Sequence, residues 1–505
     1  MNLSKIRVDG FFGLSVVLAA AGALAIAFLP WETVGAALLS LLLIGGTALA
    51  LALLDSPAEE RRFVVRLFLT ALAVRLAAAA LFYAWIGGDE SYLYSDANTY
   101  DRVAWMLAQS WHGVAGSGAG GAGFVLDDIY PRLLAGLYFL IGHSTAAAIL
   151  INIALGASAV YLVYRIGATL FGPVTARWAG WLAAFYTGFW LFEMTTLKDA
   201  LSLFLTLLFF LGLYRLWDYL VVPDRSRERL LRAAAWIAAL AVIFFVSGRL
   251  RNYLPVIFAG AVATAGVVEF LKAGRLWRWV LVVGSAAVIP ILLWTKISAQ
   301  ALPNVALGSQ SALFQITDVP ETKSVGLFLQ WILAHPVGFG KYLILSMFST
   351  LLAPYAWLLP GTLPEVPRFE TYMISYPGMW LWYLLIPFSL FGFLQAVRRS
   401  KGEVWPLVLY AAAVFLLVSI FTPREARHRD MIMPVALLLA AEGLVYSRRW
   451  SSVGLIVWIP LIGFIAWKME SVVPILLAVG IAAAVIVVWH IRIRRRRDVG
   501  LVRFG

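Results

Sequence analysis

Long apolar windows separated by short polar turns recur along the whole chain. Windows of roughly 17–25 residues match a helix crossing a bilayer core. They fall near residues 10–30, 33–54, 63–87, 144–166, 178–195, 200–220, 232–248, 253–271, 278–295, 377–397, 404–421, 431–446, 453–468 and 472–491. The 341–363 stretch is apolar too, but Pro354 and Pro360 interrupt it, so it reads as re-entrant or as lying against the outer leaflet. If both ends of 296–376 face the same side, that region holds either no full span or two. The second half of the segment 87–111 has a different pattern. Tyr100, Val103, Ala104, Leu107 and Trp111 recur on one helical face there, which predicts an amphipathic helix in a loop. The expected fold is therefore all-α: a polytopic transmembrane bundle of about 12–14 spans with helices in its extracytoplasmic loops.

Composition narrows the class. The 505 residues are 62% hydrophobic and 13% charged, with mean hydropathy +0.86. A soluble protein carries roughly 25% charge, so a water-soluble globule is excluded, as are disordered, fibrous and disulfide-stapled classes. There is no cysteine, hence no disulfide, thiolate metal site or Cys nucleophile. The first apolar segment lacks a small-residue cleavage site followed by a polar mature start, and reads as a retained span.

The net charge is +13, from 40 Lys+Arg against 27 Asp+Glu. Most of the surplus sits in alternate short loops, which argues for membrane topology and against nucleic-acid binding. Lys5 and Arg7, then Arg61, Arg62 and Arg66, then Arg225, Arg227, Arg229 and Arg232 fall on one side of the span count. Lys272, Arg275 and Arg278 follow, then Arg398, Arg399 and Lys401, then Arg448 and Arg449, then the Arg-rich tail at 492–497. That side is expected to be the cytoplasm of an inner, or plasma, membrane, with segments 88–143, 296–376 and 422–430 outside. No internal repeat is evident, and GSGAGGAG at 116–123 is low-complexity. The organisation reads as an N-terminal hairpin at 1–60, a transmembrane core at 61–295 with its first outer loop at 88–143, an extracytoplasmic or re-entrant segment at 296–376, and a C-terminal bundle at 377–505 with a basic tail.

Candidate chemistry gathers on the outer side. Asp96 and Asn98 stand where the loop helix would start, so either serves as an N-cap on the plainest reading. The alternative is that Asp96 presents a carboxylate at the membrane surface, as general base on an acceptor hydroxyl or amine. Asp89, Glu90 and Asp101 are rivals for that role. Lys198 and Asp199 begin a returning span; the pair reads either as a dipole-favoured helix start or as a site element. SGRLRNY, with Arg249, Arg251 and Asn252, and TPREARHRD, with Arg424, Arg427, His428 and Arg429, place positive charge where orientation disfavours it. Solvated basic turns are one explanation. An anionic ligand explains them better, because Arg forks suit phosphate oxygens. Arg75 lies within an apolar run, and such a residue marks a functional site, snorkels, or pairs with a buried carbonyl. The five histidines are scattered without metal-ligand spacing, and no phosphate-binding Gly loop or dinucleotide fingerprint occurs.

The order of features resembles a known family. Asp96 and Tyr100 precede a helix with Ala104 and Leu107. Tyr130 and Pro131 then open RLLAGLYFLIGHSTAAAILINIALGASAVYLVYRIGATLFG, followed by TTLKDALSLFLT and, much later, EARHRDMIMPVALLLAAEG. Over about residues 60–270 and 420–446 this is similar to the GT-C membrane glycosyltransferases, nearest to protein mannosyltransferases and bacterial aminoarabinose transferases. The resemblance implies an inverting transferase that moves a sugar from a polyprenyl-phosphate donor to an extracytoplasmic lipid, glycan or protein acceptor. By position, Asp96 matches the first-loop acidic base and Asp199 a second acidic position of the family. Relatives often have Asp-Glu where this chain has Asp96-Ala97, which leaves Asp89-Glu90 open as the alternative pair. Arg249, Arg251, Arg427, Arg429 and Lys198 would then face the donor phosphate, and Tyr100, Asn252 and His428 the substrate. No bound cofactor is expected, a metal-independent mechanism is the reading, and divalent-metal use stays open.

Two other classes compete. A polysaccharide polymerase or O-antigen-ligase-like enzyme would use the Arg427–Arg429 turn. A lipid or solute transporter would show internal repeats and charges near the midplane, whereas the charges here gather at one face.

Overall fold

The computed structural model describes residues 31–86, 95–114, 128–221, 226–273, 333–352, 376–399, 402–421 and 429–446. These are helical almost throughout, with no strand among the described residues. The helices are α1 (Trp31–Asp55), α2 (Arg61–Ile86), α3 (Ser95–Trp111), α4 (Ile129–Ile141), α5 (Thr145–Phe171), α6 (Pro173–Phe185), α7 (Thr187–Glu193), α8 (Asp199–Val221), α9 (Arg227–Leu250), α10 (Leu254–Ala273), α11 (Pro336–Leu352), α12 (Tyr376–Arg399), α13 (Trp405–Phe421) and α14 (Met433–Tyr446). Among the described residues, five helices are long and apolar enough to cross a membrane, within α2, α5, α8, α9 and α12, and five shorter apolar helices accompany them. The chain is thus an all-α polytopic bundle. The expected spans at 10–30, 278–295, 453–468 and 472–491 lie outside the described residues.

Helix α5 is the central post. Ser144 caps its start by accepting from the Ala147 N–H, and Gly172, at φ +87°, ends it. At about 1.5 Å per residue its 27 residues reach roughly 40 Å, enough to cross the apolar layer. It packs on α1, α2, α6 and α8, and most of its side chains are buried. At one end of the bundle Asp55 accepts from Arg165 Nε and Arg215, both at 2.8 Å, and from the Tyr161 hydroxyl at 3.0 Å. That network ties the α1–α2 connection to α5 and α8. The candidate chemistry lies at the opposite end.

The single span expected at 178–195 is corrected to two pieces, α6 from Pro173 and the seven-residue α7, broken at Tyr186. Tyr186 adopts an extended conformation, φ −74° and ψ 102°. A break inside an apolar bundle leaves backbone groups that need partners. Here the Ala184 carbonyl accepts from Arg75 and from the Trp190 indole, each at 3.3 Å. Arg75 also donates through Nε to the Glu193 carboxylate at 2.5 Å, with both side chains buried. The intramembrane arginine is therefore an internal tie across the break.

Helices α12 and α14 make the most intimate crossing, because Gly392 and Gly443 let the backbones touch. A Cβ at Gly392 would overlap the Leu439 carbonyl, and one at Gly443 the Phe388 carbonyl. Alanine is the better helix former by roughly 1 kcal/mol, but a backbone carbonyl cannot step aside, and overpacking of this kind costs about 1–3 kcal/mol. Gly392→Ala is expected to lower the thermal unfolding midpoint in detergent. Gly260→Ala, which meets nothing within 4 Å, should not lower it.

Candidate active site

The turn between α7 and α8 presents the first charged pair, and three helices hold it. From α5, the buried Asn152 amide donates to Thr195 O at 2.7 Å, Leu197 O at 3.0 Å and the Tyr130 hydroxyl at 3.2 Å. From α2, the Tyr83 hydroxyl donates to Met194 O at 3.1 Å, and Thr196 Oγ1 donates to Ala97 O of α3 at 2.9 Å. Residues 194–197 are buried, so Lys198 and Asp199 leave the turn in fixed directions.

Lys198 forms an ion pair with Asp128, and its ammonium lies 5.4 Å from the Tyr100 ring centre. Asp128 also caps α4, its Oδ1 accepting from the Tyr130 N–H at 3.0 Å. One carboxylate thus starts a helix and holds a lysine. Burial raises the Tyr100 phenol above its ordinary range; Lys198 opposes that rise, while Asp128 and Asp96 add to it.

Asp199 pairs with Arg251, both buried, and Arg251 donates to the Tyr253 hydroxyl at 3.2 Å. Arg251 Nε is buried without a hydrogen-bond partner among the described residues. Buried donors in native proteins are nearly always matched, so an unmatched one calls for an acceptor. A third group arrives from the start of α14. The Tyr186 hydroxyl donates to Asp430 at 2.8 Å, and Arg429 lies 3.8 Å from the same carboxylate. Burial pushes the Asp430 carboxyl up to about 6; Arg429 and Tyr186 pull against the shift, and the nearby Asp199 charge adds to it. Asp430 therefore takes up its proton at a higher pH than an ordinary carboxyl. The break at Tyr186 has a second consequence: it carries the N-terminal half onto the C-terminal helices at the site.

The expected residues divide. Asp96, in the first turn of α3, is half-buried in the same electrostatic neighbourhood as buried Tyr100. Lys198, Asp199, Arg251 and Arg429 gather at this end of the bundle, each held by an opposite charge. Arg249 and Arg251 part company. Arg249 is exposed on the last turn of α9, 5.9 Å from the Phe245 ring, and Asn252 is exposed beside it. Asp89, Glu90, Arg427 and His428 lie outside the described residues. Sequence reasoning missed Asp128, Asn152, Tyr186 and Tyr253. Only Asp128 carried a local signal, as an acidic residue immediately before a helix start. No group of three His, Asp or Glu arranged to hold a metal ion occurs among the described residues.

No protein-family profile matches the chain, and no curated protein matches it. Among solved structures the chain is similar to the archaeal oligosaccharyltransferase AglB from Archaeoglobus fulgidus, determined in complex with an inhibitory peptide and a dolichol-phosphate. That likeness has TM-score 0.42 and 12% identity, over 85% of this chain and 55% of the other. A second structure, the Archaeoglobus fulgidus oligosaccharyltransferase with Zn and sulfate, gives TM-score 0.36 and 12% identity, over 69% of this chain and 43% of that one. The chain thus spans about half the length of these structures, and likeness at this level assigns it to no family.

Proposed function

We propose that the protein is an integral membrane glycosyltransferase that takes a sugar from a polyprenyl-phosphate carrier and passes it to an acceptor outside the cytoplasm. The observation that carries this reading is Arg251. It is a buried guanidinium, oriented by Asp199, with an unmatched Nε donor at the end of an apolar bundle. A phosphate oxygen suits that donor, and an apolar bundle suits a polyprenyl tail. In the reaction the acceptor oxygen forms a bond to the anomeric carbon as the bond from that carbon to the phosphate oxygen breaks. The acceptor proton goes to Asp96, acting as general base. The bonding pair leaves on the polyprenyl phosphate, whose growing charge Arg251 and Arg429 stabilise. Inversion at the anomeric carbon follows from a single displacement.

The test is transfer by the purified full-length protein, using a panel of radiolabelled polyprenyl-phosphate sugars and a membrane extract as acceptor. Asp96→Asn should lose about 100-fold or more in rate, the usual weight of a general base. Full transfer by that variant would sink the assignment of the base. Movement of labelled lipid across liposomes without a new glycosidic bond would support the transporter class instead.

A further inference from the structure

Beside the charged turn lies a concavity of about 310 Å3, walled by Asn98, Asp101, Arg102 and Trp105 of α3, His143 of the α4–α5 loop, Thr145 at the start of α5, and Thr196. None of these groups has a part in the displacement described above. Asp101 is fixed from three sides, by the Tyr138 hydroxyl, by Thr145 at 3.3 Å and by His143 at 2.8 Å. A carboxylate offers about four acceptor directions, and among the described residues these three donors fill three of them. Trp105 stacks on His143 with ring centres 5.1 Å apart, and Tyr138 meets the same imidazole edge-on at 5.0 Å. The wall therefore combines one pre-oriented aromatic with an acceptor, a cationic donor and an amide that does both. Its position is telling as well: Asn98 is two residues from Asp96, and Thr196 is three from Asp199.

We propose that this concavity is the acceptor subsite of the enzyme and that it takes a pyranose ring of a glycan. A pyranose has an apolar face for an indole and a ring of hydroxyls, each both donor and acceptor. A pocket with one aromatic and several fixed polar groups is built for that mixture. A peptide acceptor is the competing class, and the binding test separates the two. The inference rests on the transferase reading for its meaning, but its binding test stands apart from that reading.

The experiment measures binding to the purified full-length protein by saturation-transfer NMR. The probes are tetrasaccharides of glucose, mannose and N-acetylglucosamine, and a Ser/Thr-rich peptide. At least one saccharide should bind. Trp105→Ala should weaken it about tenfold, the usual weight of an aromatic anchor, with Trp105→Phe in between. Arg102 is exposed, so Arg102→Ala should fold normally and weaken binding too. Trp111→Ala, on the exposed end of the same helix, should leave binding unchanged. Binding of polyprenyl phosphate should be equal in all variants. Absence of saccharide binding, binding indifferent to Trp105 and Arg102, or binding of the peptide alone would overturn the proposal. Saccharide binding without transfer would leave this subsite standing and defeat the transferase reading. Transfer with an unaltered acceptor KM in Trp105→Ala and Arg102→Ala would do the reverse.

Discussion

Asp199→Asn should cut transfer about 100- to 1000-fold and destabilise the protein at the same time. Both effects come from Arg251. With Asp199 neutral, its guanidinium is buried beside a carboxamide that cannot balance it. Removing one partner of a buried ion pair typically costs about 3–5 kcal/mol. Misplacing a group that stabilises a developing charge costs about 100- to 1000-fold in rate. The double variant Asp199→Asn/Arg251→Gln separates the two effects. It removes the unpaired charge, so the unfolding midpoint should recover most of the way, whereas transfer should not recover. If transfer returned together with stability, the pair would be scaffolding and the phosphate would have to be held elsewhere.

Gly156→Ala is expected to have the largest structural effect of any single methyl in the described residues of the N-terminal half. A Cβ at Gly156 would overlap the Glu193 carboxylate, which would have to shift and strain the buried Arg75–Glu193 pair. Arg75 would then be less well matched inside the bundle, and α7 would be pushed off α5 just before the turn that carries Lys198. Overpacking accounts for about 1–3 kcal/mol, and strain of the buried pair adds to it. The expected result is little folded protein at growth temperature, read by size-exclusion chromatography of the detergent extract. Arg75→Met/Glu193→Met, which removes both charges, should recover more folded protein than either single change.

The span positions were legible because apolar length is a strong signal, and α2, α5, α8, α9 and α12 fall where the windows place them. The amphipathic period of 95–111 likewise gave α3. The break at Tyr186 was not legible. Its surroundings are as apolar as any span; the freed Ala184 carbonyl is met by Arg75, more than a hundred residues away, and by the nearby Trp190 indole, while the Tyr186 hydroxyl is met by Asp430. The site was half legible for the same reason. Charges at span ends marked Lys198, Asp199, Arg251 and Arg429, but which carboxylate holds which cation is a tertiary fact. Asn152 shows the limit: a lone amide in a 27-residue apolar helix gives no hint that it clamps a turn more than forty residues away.

The pairing of each cation with a carboxylate bears on how any anionic headgroup enters. Lys198, Arg251 and Arg429 are already matched by Asp128, Asp199 and Asp430. A headgroup at Arg251 would therefore share the guanidinium with Asp199, and one at Lys198 would trade places with, or share the cation with, Asp128. The affinity reports a difference between two ion pairs of similar strength. Such a site has little long-range pull on stray phosphate or nucleotide. Because the exchange takes place in a buried layer that mobile ions scarcely screen, its affinity should vary little with salt.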